Sequence, residues 1–349
     1  MSLRSISNPI LALWCLAGVV NAETAADMVS RQVREVFENS RAAVVRVEAE
    51  DEHGKLAGTG FFVCPNGTLF TSYTVVGNSD QIIVRVGNRE YSAERLFADP
   101  RSGIAMLKVK SNETFPFLTS GSSSAIPVAT PVMVIGYPLE FGVTPAFGIV
   151  GGMEMKHLDR YFCTSHIRAS IAVQGGQGGA PLLSMDGQVL GILISSVPGG
   201  GGAFALPIEA ADKVRRDYLR FGEPRPGYIG AVVGQLTEPL QGSRAEIEQL
   251  DESGPAVRSG LQIGDVVLSI GGLPVDCPED VISAAFYTSS GDEVPVVVQR
   301  KTERITLNVP AADHPGTNKR TAFSRGNSLL PEPDPKMEHA TRVPIAPDP

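Results

Sequence analysis

Gly58-Thr59-Gly60-Phe61-Phe62-Val63 runs into the turn residues Pro65-Asn66-Gly67, and this short β-rich run closed by a turn sets the character of most of the chain. Runs of the same kind stand on either side of it, at 42–48, 82–86, 104–109, 132–135 and 189–193. Gly, Pro, Asn and Asp separate them, with Asp186-Gly187 as one such break. Branched and aromatic side chains suit a pleated surface, and the breaks supply tight turns. Many short strands at this spacing predict a sandwich or barrel. Helical periodicity is confined to a few places. Met28, Val29, Val33, Val36 and Phe37 share one face, with Thr24 and Asp27 placed for a capping box. A helix is predicted near 208–219, and Gly222-Glu223-Pro224-Arg225-Pro226-Gly227 reads as a linker. A second β-rich unit follows over 228–309, with a helical stretch near 278–287.

A chain of 349 residues suits two domains, and 42% hydrophobic with 19% charged residues is a globular balance. The formal charge of −8 argues against a basic groove for nucleic acid. Arg4, the apolar run 9–20 and Val20-Asn21-Ala22 read as a signal peptide over 1–22, which implies export to a periplasmic or extracellular space. No membrane span is expected after its removal. Cys64, Cys163 and Cys277 would remain, an odd number without a C-x-x-C or Cys/His cluster, so neither a metal nor a cofactor is expected. The stretch 311–349 carries seven prolines and few large apolar groups, and is expected to be disordered.

Several segments, taken in order, resemble the HtrA (Deg) family. They are Gly58-Thr59-Gly60-Phe61-Phe62-Val63, 99–109 (D-P-R-S-G-I-A-M-L-K-V), Val134-Ile135-Gly136-Tyr137-Pro138, Gly176-Gln177-Gly178-Gly179-Ala180-Pro181-Leu182 and Ala203-Phe204-Ala205-Leu206-Pro207-Ile208. Residues 254–267 (G-P-A-V-R-S-G-L-Q-I-G-D-V-V) resemble a PDZ segment. The resemblance implies a mainly β fold, a trypsin-like double β-barrel followed by a PDZ domain. The expected organisation is an N-terminal helical segment 23–40, a trypsin-like domain 41–221, a linker 222–227, a PDZ domain 228–310 and the tail 311–349.

Acyl transfer by serine needs a hydroxyl, an imidazole and an orienting carboxylate. By resemblance the histidine position holds Thr74, the aspartate position Gly103 and the nucleophile position Gly178. None of the five histidines (53, 157, 166, 314 and 339) falls near Thr74 in sequence. Cys163 and His166 at their spacing on a strand would point to opposite faces. These residues read as a pseudoprotease with a degenerate triad and a vestigial oxyanion loop at Gly176, Gln177 and Gly178. Glycines there could present a nest of N–H groups, or the loop could simply be relaxed.

The PDZ-like unit would bind peptides or protein C-termini by adding a strand, with Tyr228, Ile229, Gly230 and Ala231 as the carboxylate loop and Ile282 and Phe286 on the groove helix. The function expected from the sequence is a non-catalytic scaffold, adaptor or chaperone-like factor. Two alternatives stand beside it: a regulatory subunit of an active HtrA-type protease, and a serine-type endopeptidase with relocated catalytic residues. Family resemblance also suggests assembly as a trimer.

Overall fold

The computed structural model describes residues 24–313 apart from 52–53, 78, 80, 140, 155–163 and 198–199. The signal-peptide reading, Cys163 and the tail beyond Asp313 therefore lie outside the described residues. Helix α1 (Ala25–Ser40) starts where the sequence places it. The Thr24 hydroxyl accepts the Asp27 N–H at 3.2 Å, and the Asp27 carboxylate accepts the Thr24 N–H at 3.1 Å. Its apolar stripe divides. Val36 is buried and Val33 and Phe37 pack on the core beneath, while Met28 and Val29 remain exposed.

The first barrel is closed in the order β1-β2-β3-β6-β5-β4, from β1 (Val44–Asp51), β2 (Gly54–Cys64), β3 (Thr68–Ser72), β4 (Gln81–Val86), β5 (Arg89–Asp99) and β6 (Ile104–Val109). A single-turn helix, α2 (Tyr73–Val76), leaves β3. The second barrel closes in the equivalent order β10-β11-β12-β9-β8-β7. Its strands are β7 (Pro131–Gly136), β8 (Thr144–Glu154), β9 (His166–Ser170), β10 (Pro181–Ser184), β11 (Val189–Ser196) and β12 (Ala203–Pro207). Closure removes the edges that open sheets expose. Val45, Val47, Phe62, Leu69 and Leu107 fill the first barrel, and Val132, Val134, Ile167, Leu182 and Leu193 fill the second. A further cluster, with Phe61, Phe70, Ile104, Met133 and Ile192, seals the two together.

Helix α3 (Ile208–Phe221) packs against β11 and β12 and stops at Gly222, whose φ of 78° closes the helix as a left-handed cap. The third unit is a sheet ordered β14-β15-β16-β18-β19 from β14 (Ala231–Leu240), β15 (Ser243–Leu250), β16 (Val266–Ile270), β18 (Glu293–Arg300) and β19 (Glu303–Pro310). The short strand β17 (Leu273–Pro274) pairs with β16, and β13 (Gly227–Tyr228) pairs with β20 (Ala312–Asp313). The helices are α4 (Pro255–Arg258) and α5 (Pro278–Phe286). A mainly β fold of two six-stranded barrels followed by a PDZ-like sheet is thus what the sequence predicts.

A buried carboxylate ties the units together. Asp217 on α3 pairs with Lys213 one turn earlier at 2.8 Å and accepts the Arg225 N–H at 3.0 Å and the Ser289 hydroxyl. Both members of the ion pair are almost wholly buried, and the Lys213 ammonium lies 5.2 Å from the centre of the Phe286 ring.

Candidate functional site

The cleft between the barrels is built from three backbone segments that the sequence reading singled out separately. Ser72 closes β3 and caps α2, accepting the Thr74 N–H at 3.3 Å. Its hydroxyl lies 2.8 Å from the Thr74 hydroxyl and 3.4 Å from the Gly103 carbonyl, which also accepts the Tyr73 N–H at 2.8 Å. A side chain at Gly178 would begin 3.7 Å from Ser72 Cβ and 3.9 Å from Thr74 Oγ1. Thr74, Gly103 and Gly178 therefore converge on one point. The nearest atoms to a side chain at Gly103 are Ile194 carbons, at 3.5 Å and beyond, but its φ of 75° strains any side chain there, so Gly178 is the position with free room. Thr74 is exposed and Ser72 buried beneath it.

The glycine loop is anchored on both sides. Thr59, fully buried, donates its hydroxyl to the Gly176 carbonyl at 2.8 Å and its N–H to the Gly178 carbonyl at 2.9 Å, and accepts the Tyr137 N–H at 2.9 Å. Leu139 N–H donates to the Gly175 carbonyl at 2.7 Å, Gly179 N–H to the Leu193 carbonyl at 2.7 Å, and the buried Gln177 side chain accepts the Gln174 N–H at 2.8 Å. These bonds fix the loop despite the conformational freedom of its glycines. Thr59 and Ser72 are missed by a search for catalytic residue types. The signals for them were the Gly58-Thr59-Gly60 bracket and a serine directly ahead of a helical turn.

His166 is the only histidine among the described residues. It is buried in the second barrel with Nδ1 donating to the Thr164 carbonyl at 2.7 Å, and the described residues give it no contact with Thr74. No group of three or more potential metal ligands occurs among the described residues.

In the PDZ unit β14 is an edge strand in contact with α5. Gly230 takes φ 81°, and a side chain there would meet Gly254 Cα at 3.2 Å and Pro255 Cδ at 3.3 Å. Its carbonyl accepts the Asp251 N–H, fixing the loop beside β14. Ala231 pairs with Leu250, and Ile282 is 54% exposed on α5. Two of the residues expected to line the groove lie elsewhere. Ile229 is 8% exposed and packs in the PDZ core, and Phe286 is 6% exposed and packs with the core cluster that seals the barrels. Phe286 was misplaced because a short amphipathic helix has two buried sides when it is squeezed between two domains. Tyr228 is half-buried, and its hydroxyl donates to Asp251 at 3.3 Å; burial raises its pKa above the usual tyrosine value of 10.0.

The sequence matches the trypsin-like peptidase domain over residues 58–192 and the PDZ domain over 227–311. A "Probable periplasmic serine endoprotease DegP-like" of Pseudomonas fulva (strain 12-X) is 31% identical over 297 residues, 81% of this chain and 62% of the relative. The protein of that name from Halomonas elongata is 30% identical over 293 residues, 80% of this chain and 61% of the relative. Among solved structures, "HtrA-type protease AlgW with tripeptide" aligns with a TM-score of 0.69 at 25% identity, covering 81% of this chain and 97% of that one. The chain thus matches the HtrA/DegP family in both domains and their order, while spanning just over three-fifths of those curated relatives.

These relatives overturn the expectation of a non-catalytic scaffold. The two curated relatives are named as serine endoproteases and the solved structure as an HtrA-type protease, each across about four-fifths of this chain, so a reading that removes it from proteolysis on three positions alone does not stand.

Proposed function

We propose that this chain, a trypsin-like peptidase domain joined to a PDZ domain in the HtrA order, acts in endoproteolysis of polypeptides outside the cytoplasm. The observation that carries the proposal is the cleft itself, where Thr74, Gly103 and the anchored Gly176–Gly178 loop meet between two closed barrels. An extended peptide lies along that loop with its carbonyl toward the loop N–H groups, the arrangement that stabilises an acyl-transfer oxyanion. The exposed Thr74 hydroxyl is the attacking group, oriented by Ser72, which in turn bonds the Gly103 carbonyl. Attack also requires a base to take the hydroxyl proton. Among the described residues Thr74 bonds Ser72 and no imidazole or carboxylate.

That same observation favours a second reading, in which the chain is one subunit of a mixed HtrA-type assembly and a neighbour with a complete triad cuts the peptide. The test incubates the full-length protein with a peptide pool and follows shortening by mass spectrometry. Cleavage that falls at least ~100-fold in kcat/KM in Thr74→Ala supports hydrolysis at this cleft. Cleavage that needs an added catalytically complete relative supports the mixed assembly. No cleavage in either case overturns both.

Peptides reach the cleft through the PDZ groove, where a free C-terminus adds a strand to β14 and its carboxylate meets N–H groups around Gly230. Gly230→Asp places a carboxylate at that point on a left-handed backbone. It is expected to weaken free-carboxylate peptides at least tenfold by fluorescence anisotropy, about 1.4 kcal/mol. Equal affinity in the variant would remove Gly230 from the site.

A further inference from the structure

A cavity of about 550 Å³ opens where the second barrel meets the PDZ unit. Met153 of β8, Thr164 ahead of β9 and Glu209 of α3 form the barrel side, and Leu273 of β17 with Asp280 and Tyr287 form the PDZ side. Ligand pockets run to about 300–1,000 Å³, favour domain junctions and combine apolar walls with a few polar groups. This cavity meets all three conditions and lies apart from the residues of the cleft and of the carboxylate loop.

Its chemistry is one-sided. Met153 and Leu273, 42% and 41% exposed, supply its apolar surface. The Thr164 and Ser283 hydroxyls bond each other across the junction at 3.0 Å. Glu209 and Asp280 are the charged lining residues, and both are acidic. Glu209 accepts the Ser123 N–H at 2.6 Å, and Asp280 accepts the Asp276 and Cys277 N–H groups at 3.0 and 3.1 Å. The cavity thus brings two carboxylates, one from each domain, around an apolar wall.

We infer that this cavity is a second polypeptide site, taking an internal segment in which a large apolar side chain stands between Lys or Arg residues. The apolar side chain covers Met153, Leu273 and Tyr287, and the flanking cations meet Glu209 and Asp280. A ligand that meets both carboxylates touches both domains, which suits a chain with cations on either side of its apolar group. No free carboxylate is used, which separates this site from the PDZ groove.

The probe is a labelled acetyl-Lys-Phe-Lys-amide peptide, read by anisotropy on the full-length protein. The expected result is saturable binding that weakens as salt rises, since exposed charge pairs are screened. Leu273 is exposed enough to be changed without disturbing a core. Leu273→Lys is expected to weaken the peptide at least tenfold, and Leu273→Glu to retain or strengthen it. A merely structural effect would weaken both. Gly230→Asp is expected to leave this peptide unaffected. Absence of binding, indifference to Leu273→Lys, or loss in Gly230→Asp would each overturn the assignment. Equal competition by phenylethylamine would give the cavity to small amines and overturn it as a polypeptide site.

Discussion

Replacing Asp217 by asparagine is expected to lower the unfolding free energy by about 3–5 kcal/mol, the range for breaking a buried ion pair on one side. Asparagine keeps the volume, its single Oδ1 can still accept from Arg225 N–H, and its Nδ2 can donate to the Ser289 hydroxyl, so the main loss is charge. Lys213, itself 3% exposed, is then left without a paired charge at hydrogen-bond distance, with the Phe286 ring and the more remote Asp99 carboxylate as compensation. It can escape by releasing its proton. From the ordinary lysine value of 10.5, deprotonation at pH 7 bounds the penalty near about 5 kcal/mol. Lys213→Met should cost much less, because a stem of similar shape replaces a charge that burial already disfavours. The double variant should recover more than half of the asparagine loss. Urea denaturation of the four proteins measures the coupling, and a double variant as unstable as Asp217→Asn would refute this account.

The same pair carries a pH dependence with a defined sign. Burial holds the Lys213 pKa below 10.5, partly opposed by the Asp217 hydrogen bond and charge. Between the lowered native value and 10.5 the unfolded chain binds more protons than the folded one at this group. Stability therefore rises with pH across that window, and below it the contribution is flat. Lys213→Met should remove that rising limb relative to wild type.

How much of this was readable in the sequence depended on whether local rules and tertiary demands agreed. The runs at 104–109 and 132–135 were visible because Val, Ile, Leu and Met crowd them, and both are buried strands. Strand β8 was not, since Pro145, Gly148, Gly151 and Gly152 interrupt its run of strand-forming residues. A side chain at Gly148 would lie 2.2 Å from the Ser170 carbonyl, so that glycine serves strand-to-strand approach rather than a bend. Strand β5 was hidden by its charges, of which Arg89, Glu90 and Glu94 face solvent while Ala93, Phe97 and Asp99 are buried. Thr74, Gly103 and Gly178 were picked out by resemblance to the family's motifs, not by any property of the residues themselves. Ser72 and Thr59 were missed, because their roles lie in hydrogen bonds to backbone from distant segments, for which a single sequence has no marker. The least readable step was from those three positions to activity. Missing side chains describe one mechanism, whereas relatives across both domains describe what the fold is used for.

Gly179→Ala and Gly178→Ala should separate sharply although the two are adjacent. At Gly178 an added methyl meets nothing closer than 3.7 Å, an ordinary contact, so the change is expected to be neutral or stabilising by under about 1 kcal/mol through the unfolded chain. At Gly179 φ is 86°, and the methyl would lie 2.2 Å from the Thr59 carbonyl, 2.5 Å from Ser72 N and 2.7 Å from Thr71 Oγ1. None of these can yield cheaply. Thr71 Oγ1 is itself bonded to the Thr59 carbonyl at 2.7 Å, and Thr59 holds the glycine loop from the other barrel. Left-handed backbone costs an alanine about 1–2 kcal/mol, and overpacking adds typically 1–3 more. The expected loss is about 2–5 kcal/mol, or failure to fold. Relief would come only by moving Gly179 away from Leu193 and Thr59, which separates the barrels at the cleft. Paired urea titrations decide it: a Gly179→Ala protein within about 1 kcal/mol of Gly178→Ala would mean that the seam between the barrels is looser than these distances require.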